Sequence, residues 1–146
     1  MEHKIRKSDV DLGRLKILLV EDQPDNRAMT RNMLMEMGVT QIFEAADGAE
    51  GLSFAEMAFD MINFVICDWN MPNLEGIDLL KQIRKLCPDI PFLMITGRGD
   101  MNSVKQALDA GVTAYIKKPF SPVELQAKLR IIMYRRMVNA HLSAFK

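Results

Sequence analysis

The chain is poor in the features that mark secreted and membrane-spanning proteins. It has two cysteines, Cys67 and Cys87, among 146 residues. Two cysteines are too few for a disulfide framework, and we interpret them as free thiols in a cytoplasmic protein. No apolar run is long enough to span a bilayer, and the first residues lack the apolar core of a signal peptide. We therefore expect no membrane partner.

An excess of charge of either sign is also missing. Lys and Arg together number 19, and so do Asp and Glu. This balance gives no electrostatic reason to expect nucleic-acid binding, and the spacings of helix-turn-helix and zinc-finger motifs are absent. A chain of 146 residues that is 49% hydrophobic and 26% charged is typical of one globular domain.

What the sequence does contain is a strand followed by a helix, five times over. Short apolar runs predict strands over 15–20, 41–45, 62–67, 91–95 and 113–116. Helical patterns follow each of them, and a capping box at Ser121–Glu124 begins the last helix, which we expect to end near Ala140. Helical crossovers join parallel strands and cover both faces of the sheet. The fold class is therefore a doubly wound α/β domain, although the alternation leaves the strand order open.

The same pattern divides the chain into three parts. Residues 1–14 are polar and without periodicity, which predicts a flexible arm. Residues 15–140 form the domain, and 141–146 are expected to be a short tail. That tail leaves no room for a second module, so we expect any output to be a contact with another protein.

Polar side chains that could take part in binding or catalysis follow four of the predicted strands. Glu21 and Asp22 follow the first strand, Asp68 the third, Thr96 the fourth and Lys118 the last. The carboxyl ends of parallel strands share one edge of the sheet, where open α/β folds bind their ligands. The sequence therefore predicts that these five side chains meet.

Three carboxylates held together repel each other unless a cation compensates them. Mg²⁺ prefers such oxygen ligands and keeps positions open for phosphate oxygens. Lys118 adds a fixed positive charge, and Thr96 offers a hydroxyl donor. An aspartate carboxylate can attack phosphorus to give an acyl phosphate. This set predicts that Asp68 accepts a phosphoryl group with the help of Mg²⁺.

Each residue taken alone has a structural alternative. Glu21 and Asp22 before Pro24 could be no more than a helix cap, and Asp68 could be a turn residue. Thr96 could begin a loop, and Lys118 could be a solvated charge before a helix. Their joint occurrence, each at a predicted strand end, favours the functional interpretation.

Four segments resemble the response-regulator receiver domain, above all the CheY-like type of two-component signalling. They are 16–22 (KILLVED), 66–73 (ICDWNMPN), 94–97 (MITG) and 114–120 (AYIKKPF). The resemblance covers about residues 15–138. It implies a flavodoxin-like fold with strand order 2-1-3-4-5.

The resemblance also implies roles for individual residues. Asp68 would be phosphorylated by a sensor histidine kinase or a phosphotransfer protein. Mg²⁺ would bind Asp22, Asp68 and the backbone carbonyl of Asn70, with Glu21 acting through water. Thr96 and Lys118 would contact the phosphoryl group, and Lys118–Pro119 would be a cis peptide. Tyr115 would be the aromatic switch residue on the face formed by helix 4, strand 5 and helix 5.

Two features lie outside this common pattern. Glu21 stands where the family commonly has Asp, and its longer side chain should still act through water. Arg98, two residues after Thr96, is a long cation near the site. We hypothesise that Arg98 changes the lifetime of the phosphoryl group; the alternative is a solvated arginine.

The last helix carries a second apolar row besides its core stripe. The row consists of Ala127, Ile131, Tyr134 and Val138. One interpretation is a partner surface or a homodimer through this helix. The alternatives are scattered surface hydrophobes or a cover provided by the chain's own tails.

We therefore interpret the chain as a stand-alone phosphoacceptor signalling domain, not an enzyme, that switches a contact with a downstream target protein. Chemotaxis is the pathway that the resemblance suggests. One rival is a phosphatase of the aspartyl-phosphate class, which would carry a second Asp at the position of Asn70. A second rival is an unphosphorylated interaction module, and a flavin carrier is weaker because no phosphate loop follows the first strand.

Overall fold

A parallel five-stranded sheet forms the centre of the computed structural model, which describes residues 4–97 and 99–144. The strand order is β2-β1-β3-β4-β5, so the predicted fold class and the order implied by the resemblance are confirmed. The strands are β1 Lys16–Val20, β2 Gln41–Ala45, β3 Phe64–Asp68, β4 Phe92–Thr96 and β5 Ala114–Lys117. The helices are α1 Pro24–Glu36, α2 Gly48–Ala58, α3 Gly76–Leu86, α4 Met101–Asp109 and α5 Pro122–Ser143.

Two apolar layers enclose the sheet because successive strand residues point to opposite faces. Leu18 and Val20 of β1 pack into the layer that includes α2, α3 and α4. Ile17 and Leu19 pack into the other layer, which includes α1 and α5. Burial on both sides explains why β1, β3 and β4 are nearly continuous apolar runs.

Three of the strands end later than the apolar pattern predicts. Asp68 is the last residue of β3 and is paired with Ile95, and Thr96 is the last residue of β4 and is paired with Lys117. Parallel pairing thus continues through the polar residues, since the backbone forms its ladder whatever the side chain. Asp68 and Thr96 are therefore held by the sheet itself rather than by the loops that follow it.

The segment before β1 is built against α5. Short 3₁₀ helices occupy Lys7–Asp9 and Leu12–Arg14, and the side chains of Val10 and Leu12 are buried in the layer shared with α5. Arg130 of α5 donates a hydrogen bond to the carbonyl oxygen of Val10 at 3.2 Å. Residues 4–14 therefore make specific contacts where we expected a flexible arm; the division of the chain at 14 and 140 stays a prediction.

The second apolar row of α5 is partly covered. Ile131 and Tyr134 pack against the buried layer, and Val138 is half-buried, while Ala127 is exposed. This pattern supports the alternative of cover by the chain's own residues, because the same buried layer includes Val10 and Leu12 of the N-terminal segment. The helix itself extends to Ser143, three residues beyond the expected end at Ala140.

Within the described ranges, no helix has both the length and the apolar character needed to cross a bilayer. The free cysteines are Cys67, which is buried in β3, and Cys87, which is half-buried at the end of α3.

Candidate functional site

The three carboxylates predicted to converge lie together at the carboxyl edge of the sheet. One carboxylate oxygen from each of Glu21, Asp22 and Asp68 lies within 4.8 Å of the other two. Glu21 and Asp22 occupy the connection from β1 to α1, and Asp68 ends the neighbouring strand β3. The sheet order reverses direction between β1 and β3, and a crevice forms at such a point in open α/β folds.

The backbone around Asp68 is held closely. The Trp69 amide donates to the carbonyl oxygen of Ile95 at 2.9 Å, and the Gly76 amide donates to the carbonyl oxygen of Trp69 at 2.9 Å. A Cβ atom at Gly76 would lie 2.3 Å from the carbonyl oxygen of Asp68. Position 76 therefore requires glycine, because any side chain would displace the strand end that carries Asp68.

Lys118 supplies the positive charge of the cluster. Its Nζ donates to Oδ2 of Asp68 at 2.8 Å and lies 3.9 Å from Oε1 of Glu21. The Lys118 amide donates to the carbonyl oxygen of Thr96 at 2.8 Å, which extends the pairing of β4 and β5 by one residue. The Lys118–Pro119 peptide is cis, as the resemblance implied.

Glu21 is buried without a compensating hydrogen bond. Its side chain is about 5% exposed, and neither of its carboxylate oxygens has a hydrogen-bond partner. Burial, and then the neighbouring Asp68 carboxylate, raise the pKa of Glu21 from 4.5 to about 8, against the smaller opposing effect of Lys118. The protein without a bound cation therefore holds Glu21 mostly protonated at neutral pH.

These observations fit a divalent cation. Buried carboxylate oxygens without partners have lost their hydration and gained no compensating donor, which is costly. A dication close to all three groups would take the place of the lost water molecules. The ligand atoms are carboxylate oxygens, which Mg²⁺ prefers. The cluster is thus chemically suited to a hard cation, because Lys118 brings one positive charge to a site with three carboxyl groups.

The pKa of Glu21 leads to a stability prediction for the metal-free protein. Its folded pKa, about 8, lies above its ordinary value of 4.5, so the stability that the protonated form contributes is complete below pH 4.5. It is lost as pH rises towards 8. Glu21→Gln removes this titration, and we expect it to stabilise the metal-free fold at pH 8 by roughly 2–4 kcal/mol.

Urea unfolding in the presence of a chelator measures this effect at pH 5 and pH 8. The gain from Glu21→Gln should shrink towards pH 5. Glu36→Gln, which changes an exposed glutamate near the end of α1, is the matched control. An equal gain at both pH values would contradict the assignment of the buried, raised-pKa group to Glu21.

The remaining predicted residues occupy the rim of this cluster or the neighbouring strand. Thr96 is buried at the end of β4. Asn70 is exposed, and its amide donates to Oδ1 of Asp68 at 3.4 Å. Tyr115 lies on the edge strand β5, 36% exposed, with Lys128 Nζ of α5 5.8 Å from the centre of its ring. Arg98 lies outside the described residues, so its role stays a hypothesis.

Two contacts at the site were missed by the sequence reasoning. Arg27 of α1 donates to the backbone carbonyl of Glu21 at 2.8 Å and lies 3.5 Å from Glu44. Asn73 donates to Asp47 at 2.8 Å across two loops. Neither pair shows a periodic signal in the sequence.

A cavity of about 220 Å³ opens beside the cluster, between α1 and the connection from β5 to α5. Glu21 and Lys118 are among the residues that line it. Apolar side chains form most of the rest of its wall, among them Met29, Met33 and Phe120. Glu21 and Lys118 thus border a partly apolar cavity.

Comparison with known proteins identifies relatives along most of the chain. The model of the response regulator receiver domain matches residues 17–130. Chemotaxis protein CheY-3 of Vibrio cholerae is 40% identical over 124 residues, which are 83% of this chain and 93% of the relative. Chemotaxis protein CheY1 of Helicobacter pylori is 37% identical over 121 residues, covering 82% and 97% of the two chains.

A solved structure extends the likeness to three dimensions. The receiver domain of the sensor histidine kinase PA1611 from Pseudomonas aeruginosa, which has a magnesium ion coordinated in its active-site cleft, is 30% identical with a TM-score of 0.70. The match covers 81% of this chain and 93% of that one.

Proposed function

The chain belongs to the response regulator receiver domain family, and we propose that its phosphoacceptor is Asp68, which takes a phosphoryl group from a sensor histidine kinase or a phosphotransfer protein. CheY-like receivers are two-component signalling domains, and the acidic pocket of this family binds Mg²⁺. The observation that carries the proposal is the convergence of Glu21, Asp22 and Asp68 within 4.8 Å, with the Lys118 ammonium 2.8 Å from Asp68.

We propose that Asp22, Asp68 and the backbone carbonyl of Asn70 hold Mg²⁺ directly and that Glu21 holds it through water. When bound, the dication supplies positive charge to the phosphoryl oxygens and to the crowded carboxylates. Glu21 would be deprotonated on binding, since a cation competes with its proton. Its two buried oxygens without partners support this role.

In the proposed transfer, a carboxylate oxygen of Asp68 attacks phosphorus. The new bond joins that oxygen to phosphorus, and the bond from phosphorus to the donor atom breaks, with its electron pair leaving on the donor. Lys118 would move its hydrogen bond from Asp68 towards a phosphoryl oxygen, and Thr96 would donate to another. No general base is required, because Asp68 attacks in its ionised form. Hydrolysis of the aspartyl phosphate would use the same residues.

The apolar wall beside the acidic cluster supports a protein donor. A phosphohistidine side chain must approach Asp68 from outside, and Met29, Met33 and Phe120 line a cavity that reaches Lys118, the hydrogen-bond partner of Asp68. Apolar, adaptable side chains next to a reacting group suit a transient protein contact. We propose that this wall receives the donor protein during transfer.

The output is proposed to be a contact with a downstream target, in chemotaxis-type signalling, at the face formed by α4, β5 and α5. Thr96 ends β4 next to β5, and the half-exposed Tyr115 on β5 is placed to report a change there. The phosphoryl group would bias an equilibrium between two arrangements of this face. A homodimer through α5 is the weaker proposal, since residues 4–14 already contact this helix.

Free thiols at Cys67 and Cys87 support a reducing compartment, and we propose the cytoplasm.

Incubation with acetyl phosphate and Mg²⁺, followed by intact-protein mass spectrometry, tests the proposal. We expect the mass of one phosphoryl group to be added, and the adduct to be lost in hydroxylamine, which cleaves acyl phosphates. A protein that stays unmodified at millimolar donor would refute the assignment of a phosphoacceptor.

A further inference from the structure

We propose that Asn73 is a positioning residue for the metal site, and that it acts through its hydrogen bond to Asp47. The inference rests on the proposed function, because it concerns the loop that would present the Asn70 carbonyl to Mg²⁺. Neither Asn73 nor Asp47 belongs to the acidic cluster, and neither would touch the ion.

Asn73 fixes the middle of the connection from β3 to α3. Its side-chain amide donates to Oδ2 of Asp47 at 2.8 Å. Its backbone has a φ of 68°, and it is the one non-glycine residue with positive φ in the described part of the chain. Asparagine tolerates this left-handed conformation better than most residues. The backbone conformation of Asn73 and the hydrogen bond of its side chain thus both hold the loop at this residue.

The acceptor is itself firmly placed. Asp47 is the N-cap of α2, and its Oδ1 accepts from the Glu50 amide at 2.8 Å. These donors, the Glu50 amide first and the Asn73 amide second, hold the pKa of Asp47 below its ordinary value. The next residue, Gly48, lies against the same loop, where a Cβ would be 2.0 Å from the Leu74 carbonyl oxygen. Asp47 therefore connects the loop to a helix end.

The bond to Asp47 holds the loop on its exposed side. Asn70, Pro72 and Asn73 are exposed, whereas Trp69 and Met71 are buried. The direction of the Asn70 carbonyl depends on the backbone between the buried strand end and Asn73. Without the bond to Asp47, we expect that backbone to sample more conformations and to pay an ordering cost when a cation binds.

Calorimetric titration with Mg²⁺ tests the inference without a phosphodonor. Asn73→Gly removes the amide but keeps the positive φ accessible, and we expect it to weaken Mg²⁺ binding on the order of 10-fold. Asp47→Ser retains an N-cap for α2 but is too short to reach Asn73. We expect the same loss from it, and no further loss when both changes are combined.

A swapped pair provides the rescue. In the double variant Asp47→Asn with Asn73→Asp, an amide on α2 can donate to a carboxylate on the loop, so the bond is re-formed in the reverse direction. We expect its Mg²⁺ affinity to return to within about 3-fold of the native value, well inside the loss expected of a broken outer-shell contact.

Asn63 offers a matched control on the opposite edge of the sheet. Its side chain also joins two segments, accepting from the Lys16 amide at 2.7 Å and donating to the Arg14 carbonyl at 3.0 Å. Asn63→Ala should lower thermal stability and leave Mg²⁺ affinity unchanged.

The outcomes separate the two claims. If the native protein does not bind Mg²⁺, the proposed function fails and this inference fails with it. If the native protein binds and Asn73→Gly binds equally well, or if Asn63→Ala weakens binding as much, the inference alone is overturned.

Discussion

Asp68→Asn is expected to abolish phosphoryl uptake from acetyl phosphate. An amide oxygen is not a nucleophile towards phosphorus, and the change also removes one proposed metal ligand and the partner of Lys118. The fold should survive, because the substitution keeps the shape of the side chain and removes one negative charge from a crowded acidic cluster. Intact mass after incubation with donor and Mg²⁺ is the measurement.

Asp25→Asn is the control for this result. Asp25 lies in the first turn of α1, exposed and close in sequence to the acidic cluster but outside it. We expect this variant to take up phosphate as the native protein does. A stable adduct on Asp68→Asn, located by peptide mapping at another residue, would show that the phosphoacceptor has been assigned wrongly.

Lys118→Met is expected to slow phosphoryl uptake by about 100-fold without preventing it. Removing one pre-positioned charge at a reacting centre typically costs 10²–10³-fold in rate. Methionine keeps much of the length of the lysine stem, so the loss reports the ammonium, which lies 2.8 Å from Asp68 in the unphosphorylated protein. Initial rates of adduct formation at saturating Mg²⁺ measure the effect.

The adjacent lysine makes a close control. Lys117 ends β5 and is exposed, while the half-buried Lys118 reaches the acidic cluster. Lys117→Met should react at the native rate. Equal rates for the native protein and Lys118→Met would show that Lys118 has no part in the transfer. The cation alone would then neutralise the charge on the phosphoryl oxygens.

The fold could be predicted from the sequence because its signals are local. Each strand is a short apolar run and each helix has its own periodicity or cap, so five repeats indicated a parallel sheet with helices on both faces. The order of the strands did not follow from this pattern. It came from the resemblance to receiver domains, since the position of β1 between β2 and β3 depends on contacts between distant segments.

The convergence of the carboxylates could also be predicted, because parallel strands place their carboxyl ends on one edge. The structure brings Glu21, Asp22 and Asp68 together as expected. The structure differs from the prediction in one respect: Asp68 and Thr96 are the last residues of their strands and do not follow them. Apolar pattern alone ends a strand at its last apolar residue, whereas backbone pairing does not depend on the side chain.

What the sequence could not show are contacts between residues far apart in the chain. Arg130 contacts Val10, and Asn73 contacts Asp47, and the partners are 120 and 26 positions apart in the sequence. No periodicity connects such pairs, because each is created by the packing of two separate elements. The raised pKa of Glu21 is of the same kind, since it depends on how deeply the β1 connection is buried.

The central claim is that a dication makes the acidic cluster reactive towards a phosphodonor. The most direct test is whether the reaction with acetyl phosphate depends on Mg²⁺. The native protein is incubated with the donor in Mg²⁺ and, in parallel, in an excess of chelator. We predict one phosphoryl adduct with Mg²⁺ and none with the chelator, with reaction restored when Mg²⁺ is returned. The same extent and rate of modification in both samples would contradict this account.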